Sequence, residues 1–400
     1  MREQQGVDIR NKEERQKFID KLENKGYIVD ETLFSRNDII SGIFPIIVDL
    51  KNKKISMMGN VTTSACAVQS KVLISQEEFW KSLSLQNTNI KDGIIGFAIG
   101  DALGVPAEFK SREELNRYPI TDMVGDGTYN VPAGTWSDDT SMTLATIDSI
   151  IEKQTIDVND MASKFLKWFR NAEYTATNEC FDIGRTTLQA LAKYESKLDD
   201  ASNCGDSGEY DNGNGSLMRI LPIAYYIYYK NITDNQEIFN IIKDVSSITH
   251  AHEISILGCY IYVKYVLELL NGKDKVQAYR DIQKQDYSLF SDYSVSKYSR
   301  ILRDDIANVS VDDISSSGYV VSTLESVFWL FLNAEDYNTT ILKAVNLGDD
   351  TDTVGAIVGG LLGIQYGIDS IKESWKQQLK RYDYIVSLCD NFNKVFGRSN

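Results

Sequence analysis

The pattern of apolar and polar positions changes once along this chain. Residues 12–24 set Phe18, Ile19 and Leu22 at helical spacing among alternating charges, and Gly26 follows as a stop; this predicts a short amphipathic helix. Further on, Phe44-Pro45-Ile46-Ile47-Val48-Asp49-Leu50, a polar Lys51-Asn52-Lys53 and Lys54-Ile55-Ser56-Met57-Met58 predict a β-hairpin. The polar stretch 83–89 reads as a linker. From residue 90 the period becomes that of long helices, predicted over 141–151, 158–170, 185–198, 236–247, 254–270, 320–332, 341–345, 354–366 and 383–395. Strand-type alternation is weak there. The expectation is an all-α bundle over 90–396, preceded by a small α+β module over 1–85. Two polar stretches interrupt the bundle: 201–215, rich in Gly, Asn and Asp, and 285–318. Loops of that length inside a compact domain are commonly functional or disordered.

Composition narrows the class. With 400 residues, 42% hydrophobic and 25% charged, the chain is globular and long enough for a large core plus a smaller module. Its net charge is −15. Residues 1–85 hold 13 Lys+Arg against 12 Asp+Glu, and residues 86–400 hold 29 against 45. No basic face offers itself to phosphates, which argues against a nucleic-acid partner. The five cysteines are scattered, with no Cys-x-x-Cys, as expected of a reducing compartment rather than of a disulfide framework or zinc site. The polar, charged N-terminus is no signal peptide. The longest apolar stretch, 254–270, is broken by Lys264 and rich in tyrosine, so it reads as a buried helix and not a membrane span. A cytoplasmic protein is expected.

Two short acidic clusters carry the candidate chemistry: Trp136-Ser137-Asp138-Asp139-Thr140 and Gly348-Asp349-Asp350-Thr351-Asp352-Thr353. Each opens a segment of small and apolar residues with helical period. Aspartates in a first helical turn are common caps. Two such clusters, each mixing carboxylates with hydroxyls, exceed what capping needs. If they face each other, their carboxylates repel unless a cation lies between them. Oxygen donors without cysteine suit a hard ion, Mg²⁺ or Mn²⁺.

Five segments then fall in one order. They are Gly96-Phe97-Ala98-Ile99-Gly100-Asp101-Ala102-Leu103-Gly104 with Pro106 and Glu108; Trp136 to Thr140; Asn212-Gly213-Asn214-Gly215-Ser216-Leu217-Met218-Arg219; Thr249-His250-Ala251-His252; and Leu347 to Thr353. Together, over about residues 90–383, they resemble the ADP-ribosylglycohydrolase family. That resemblance implies an all-helical hydrolase with a binuclear Mg²⁺ or Mn²⁺ site, which cleaves ADP-ribose from a modified side chain, commonly arginine. It implies metal ligation by Ser137, Asp138, Asp139, Asp350, Asp352 and Thr353, with Asp349 left out. Glu108 would orient or deprotonate the attacking water. Asp101 would be a structural acid. Asp182 would act as general acid or base near the ribose, or else cap the helix from Arg185. Gly184, Asn214, Gly215, Ser216, Met218, His250 and Tyr319 would line the substrate. The glycine-rich turn can present N–H groups to a diphosphate. Tyr319 would stack on adenine or a guanidinium, or pack as an interior tyrosine. The implied partner is an ADP-ribosylated protein. Because bacterial members of the family include immunity proteins against ADP-ribosyltransferase toxins, residues 1–85 are also expected to be able to bind such a toxin.

Overall fold

The computed structural model describes residues 4–7, 9, 11–23, 27–30, 35–41, 46–49, 54–57, 73–74, 89–196 and 200–397. The predicted turn at Lys51-Asn52-Lys53 and most of the linker lie outside them. The chain divides into two compact units, split near residue 86.

The N-terminal unit has strands β1 (Gln4–Val7), β2 (Ile28–Val29), β3 (Ile46–Asp49), β4 (Lys54–Met57) and β5 (Leu73–Ile74), with helices α1 (Lys12–Glu23) and α2 (Arg36–Ser41). The strand order is β2-β4-β3-β1-β5. The predicted hairpin is the antiparallel pair β3–β4, in register Val48 to Ile55. Phe18, Ile19 and Leu22 of α1 are buried with Val7, Ile46, Val48 and Ile55. Arg15, also fully buried, ties the helices together by donating to the Ile9 and Ile39 carbonyls.

The larger unit is helical. Its helices are α3 (Ile90–Gly104), α4 (Arg112–Arg117), α5 (Asp138–Lys153), α6 (Val158–Asn171), α7 (Arg185–Ser196), α8 (Leu221–Lys230), α9 (Asn235–Ser247), α10 (Glu253–Leu270), α11 (Lys275–Gln283), α12 (Asp292–Lys297), α13 (Ser299–Leu302), α14 (Val320–Leu332), α15 (Tyr337–Val345), α16 (Thr351–Tyr366), α17 (Glu373–Gln378) and α18 (Tyr382–Phe396). Every predicted long helix is present, most of them extended by a few residues. Helices α8 and α11 carried too little periodicity to be predicted, and the polar stretch 285–318 contains the short helices α12 and α13. The segment from Gly96 to Gly104, which looks like a glycine-rich turn, is helical throughout.

Those glycines explain the centre of the fold. Gly96, Gly100 and Gly104 recur every fourth residue and share one face of α3. They meet Gly359, Gly355 and Asp352 on α16, where an added Cβ would collide with the opposing backbone. A glycine inside a helix costs about 1 kcal/mol relative to alanine. The return here is an approach of two backbones that no side chain would permit. The end of α3 is thereby pressed onto the first turn of α16, and Thr351 Oγ1 donates to the Gly104 carbonyl at 2.8 Å. Among the described residues, no helix is long and apolar enough to cross a membrane.

Candidate active site

Helix α3 holds both acidic clusters. Its Asp101, fully buried, accepts from Ser137 N at 2.9 Å, Thr140 N at 3.0 Å and Thr140 Oγ1 at 2.6 Å. These are the free donors of the first turn of α5, capped by an acid from another helix. Asp101 therefore fixes the first cluster, in the structural role its sequence context implied, while Gly104 fixes the second. Ser137 is the N-cap of α5: its hydroxyl accepts from Asp139 N and donates to Asp139 Oδ2 at 3.1 Å. The clusters touch where Thr353 Oγ1 donates to that same Asp139 Oδ2 at 3.1 Å, 214 positions apart in the chain.

Glu108 follows a single 3₁₀ turn after α3. Its carboxylate comes together with Asp350 and Asp352, each offering one oxygen within 4.8 Å of the others. Asp138 and Asp139 stand outside that triad. Asp350 is the N-cap residue of α16, but its side chain makes no cap bond; it accepts from Asn214 Nδ2 at 2.8 Å instead. Asp349 is exposed, its backbone bonded to Phe109 and Lys110, at the edge of the cluster. Asp182 lies in the left-handed region at φ 59°. It accepts from Tyr129 OH at 2.6 Å. Tyr129 sits in a polar turn with no periodicity, and nothing in the sequence marked it. Its ring packs on Phe181 at 4.8 Å.

The electrostatics of this cluster are unusual. Glu108, Asp138, Asp139, Asp350 and Asp352 all have carboxyl pKa values raised, first by burial. In all but Asp350, repulsion from neighbouring acids adds to the rise. No Lys or Arg pairs with any of them among the described residues. Glu108 Oε2, Asp139 Oδ1 and both Asp352 carboxylate oxygens are buried without any hydrogen-bond partner. An unpaired buried charge costs several kcal/mol. Oxygen atoms left this way, beside the hydroxyls of Ser137 and Thr353, fit a hard divalent cation and leave no reason to invoke a softer one.

The cleft over this cluster has a volume of about 240 Å³. Glu108, Asp138, Asp182, Asp350 and Thr353 line it, together with Gly184, Arg185, Gly213, Asn214, Gly215, Met218 and His250. Two predicted substrate residues lie elsewhere. Ser216 points inward, where its hydroxyl lies 2.9 Å from Ser246 Oγ and 3.4 Å from the Cys259 sulfur. Tyr319 precedes α14 and lines a neighbouring cavity of about 400 Å³ with Tyr210, Tyr293 and Lys297. The two cavities share Gly213 and Gly318 as their common wall. His252 is the N-cap of α10, its Nδ1 accepting from Ile254 N.

A family model described as ADP-ribosylglycohydrolase matches residues 83–400. The chain belongs to the ADP-ribosylglycohydrolase family. It is thus a hydrolase of ADP-ribosyl linkages within a metal-dependent family, and the acidic cluster is where its metal would be held. The chain is 32% identical to an ADP-ribosylarginine hydrolase Tri1 of Serratia proteamaculans, over 75% of this chain and 77% of the relative. It is 31% identical to the protein of the same name from Pseudomonas putida, over 77% and 78%. Against ADP-ribosyl-[dinitrogen reductase] glycohydrolase of Rhodospirillum rubrum it is 28% identical, over 71% and 88%. A solved structure described as an ADP-ribosylglycohydrolase-related protein complex superposes with a TM-score of 0.64 at 25% identity, covering 77% of this chain and 98% of that one.

Proposed function

We propose that this chain hydrolyses the N-glycosidic bond between ADP-ribose and an arginine side chain of a modified protein, with two Mg²⁺ or Mn²⁺ ions as cofactors. The arginine linkage is favoured by the names of two relatives and by a cleft whose acids suit a guanidinium. The observation that carries the proposal is the set of unpartnered buried oxygens where the two clusters meet. Ser137, Asp138, Asp139, Asp350, Asp352 and Thr353 would hold the ions, and Glu108 lies close enough to share a ligand position. Bound there, divalent ions supply electrostatic stabilisation and an anchor for ribose hydroxyls.

The protein's own groups do the rest. Glu108 and Asp182 lie next to each other and to Tyr129, whose phenol stays protonated because burial and both carboxylates raise its pKa. One of the two acids can hold a proton while the other accepts one from water. Positive charge developing on the sugar during bond cleavage lies against an acidic wall. Asn214 keeps Asp350 in place, and the Gly213–Gly215 backbone leaves room for the diphosphate to approach closely. The test is release of ADP-ribose from an arginine-ADP-ribosylated protein, with Mg²⁺ and with EDTA. Release only with metal supports the reading; release unchanged by EDTA overturns it.

The family resemblance suggests a second role for the same chain: protection against an ADP-ribosylating toxin in the cytoplasm, with residues 1–85 as the toxin-binding module. The near-neutral charge of that segment sets it apart from the acidic remainder. A chain starting near residue 90 should keep hydrolase activity and lose any tight toxin complex. Retained toxin binding would refute the module's role.

A further inference from the structure

Arg219 is fully buried at the end of the Asn-Gly-Asn-Gly-Ser motif, and no carboxylate meets it among the described residues. Its guanidinium stacks over Phe165 at 4.9 Å. Nη1 donates to the Val245 carbonyl at 3.3 Å, Nη2 donates to Thr249 Oγ1 at 2.5 Å, and Nε has no partner. Thr249 Oγ1 in turn lies 2.8 Å from His250 Nδ1.

The order of these atoms fixes the protons. A guanidinium has only donors, so Thr249 Oγ1 must accept from Arg219. The hydroxyl still owns one proton, and His250 Nδ1 lies beside it at 2.8 Å. If Nδ1 carried a proton as well, the hydroxyl could accept both donors, but its own buried proton would face no acceptor among the described residues, a costly arrangement. Nδ1 is therefore the acceptor and the ring proton sits on Nε2. The Nε2–Cε1 edge of the ring lies against Gly213 and Gly215 on the cleft wall, where an added Cβ at Gly215 would stand 2.7 Å from Cε1. The backbone of His250 is held as firmly: its N–H donates to Ser246 O at 2.8 Å, and its carbonyl accepts from Ser246 Oγ at 2.8 Å.

We propose that Arg219 and Thr249 are positioning residues that lock His250 in the Nε2–H tautomer, so that a neutral ring presents a donor, and not a lone pair, to the anionic part of the substrate. This rests on the proposed function, with His250 on the cleft wall in contact with the substrate. Burial and the nearby Arg219 charge both oppose protonation of the ring, in keeping with a neutral donor.

The chain has two histidines, so the full-length protein gives a readable imidazole ¹⁵N spectrum, assigned with His252→Gln. The expected wild-type result is an unprotonated Nδ1 and a protonated Nε2 on His250. Thr249→Val should shift the tautomer and raise KM about tenfold with kcat little changed, while Thr249→Ser restores both. A wild-type proton on Nδ1, or Thr249→Val with the tautomer unmoved, overturns the relay. A shifted tautomer with unchanged KM upholds the relay and refutes the contact of His250 with substrate. Should Thr249→Val fail to fold, the wild-type spectrum alone decides.

Discussion

The acidic wall of the cleft and the layer behind His250 hold buried charges of opposite sign, and among the described residues neither has an oppositely charged partner. In the first, Glu108, Asp138, Asp139, Asp350 and Asp352 crowd together with four buried oxygens unpartnered. In the second, the glycine turn and His250 are backed by Arg219, a buried cation with no acid beside it. A few ångströms from the first group, Asp101 is just as buried, yet three donors satisfy it. The fold can neutralise a buried acid when the role is structural. Where it does not, the unpartnered acidic oxygens match a cation.

The largest effect expected from breaking this contrast is on turnover. Asp352→Asn or Asp138→Asn should lower kcat by at least about 10²-fold with helical content unchanged by circular dichroism. In EDTA the Asp352→Asn protein should melt no lower than the wild type, because one like charge has left a repulsive cluster. Near-normal rates in both variants would exclude the metal assignment. Asp101→Ala sharpens the comparison from the other side. It should cost about 3 kcal/mol of stability with or without metal, since it strips the first turn of α5 of its cap. Equal stability in urea would show that the cap is dispensable.

A third test uses pH. His250 is held neutral, its pKa pushed down to about 3 by burial and by Arg219. An unfolded histidine binds a proton below pH ~6.5, so there the unfolded state takes up a proton that the folded state refuses. Its contribution is nil above pH 7, and stability falls as pH drops through that window. Between pH 7 and 5 its share is about 2 kcal/mol. Guanidinium unfolding of His250→Gln should show a slope flatter by that amount; an unchanged slope would mean that the ring is accessible to protons. The smallest effect belongs to Ser216→Ala. Its hydroxyl faces Ser246 and Cys259 rather than the cleft, so kcat and KM should stay within about twofold, with about 1 kcal/mol lost in stability.

Much of this was legible in the sequence, for physical reasons that differ by element. The long helices announce themselves because each buries one apolar face, as α6 and α9 do. The acidic clusters are legible because acids, hydroxyls and small residues concentrate there beyond any capping need. In helix α3, Gly100-Asp101-Ala102-Leu103-Gly104 has the residues of a turn, and its helical course makes sense only once α16 supplies the matching glycines. Helix α8, Leu-Pro-Ile-Ala-Tyr-Tyr-Ile, is apolar all round and has no period to read. Ser216 and Tyr319 were placed along the substrate by motif; the structure turns one into the core and sets the other in the adjoining cavity. Tyr129 could not be found, because its partner Asp182 is 53 positions away and only tertiary packing joins them.

The most direct test of the central claim is a titration of Mn²⁺ into the EDTA-treated full chain, followed by loss of the free-ion signal in electron paramagnetic resonance. The account predicts two ions bound per chain, with binding lost or halved in Asp352→Asn and again in Asp138→Asn. No binding in the wild type, or the same binding in both variants, would contradict it.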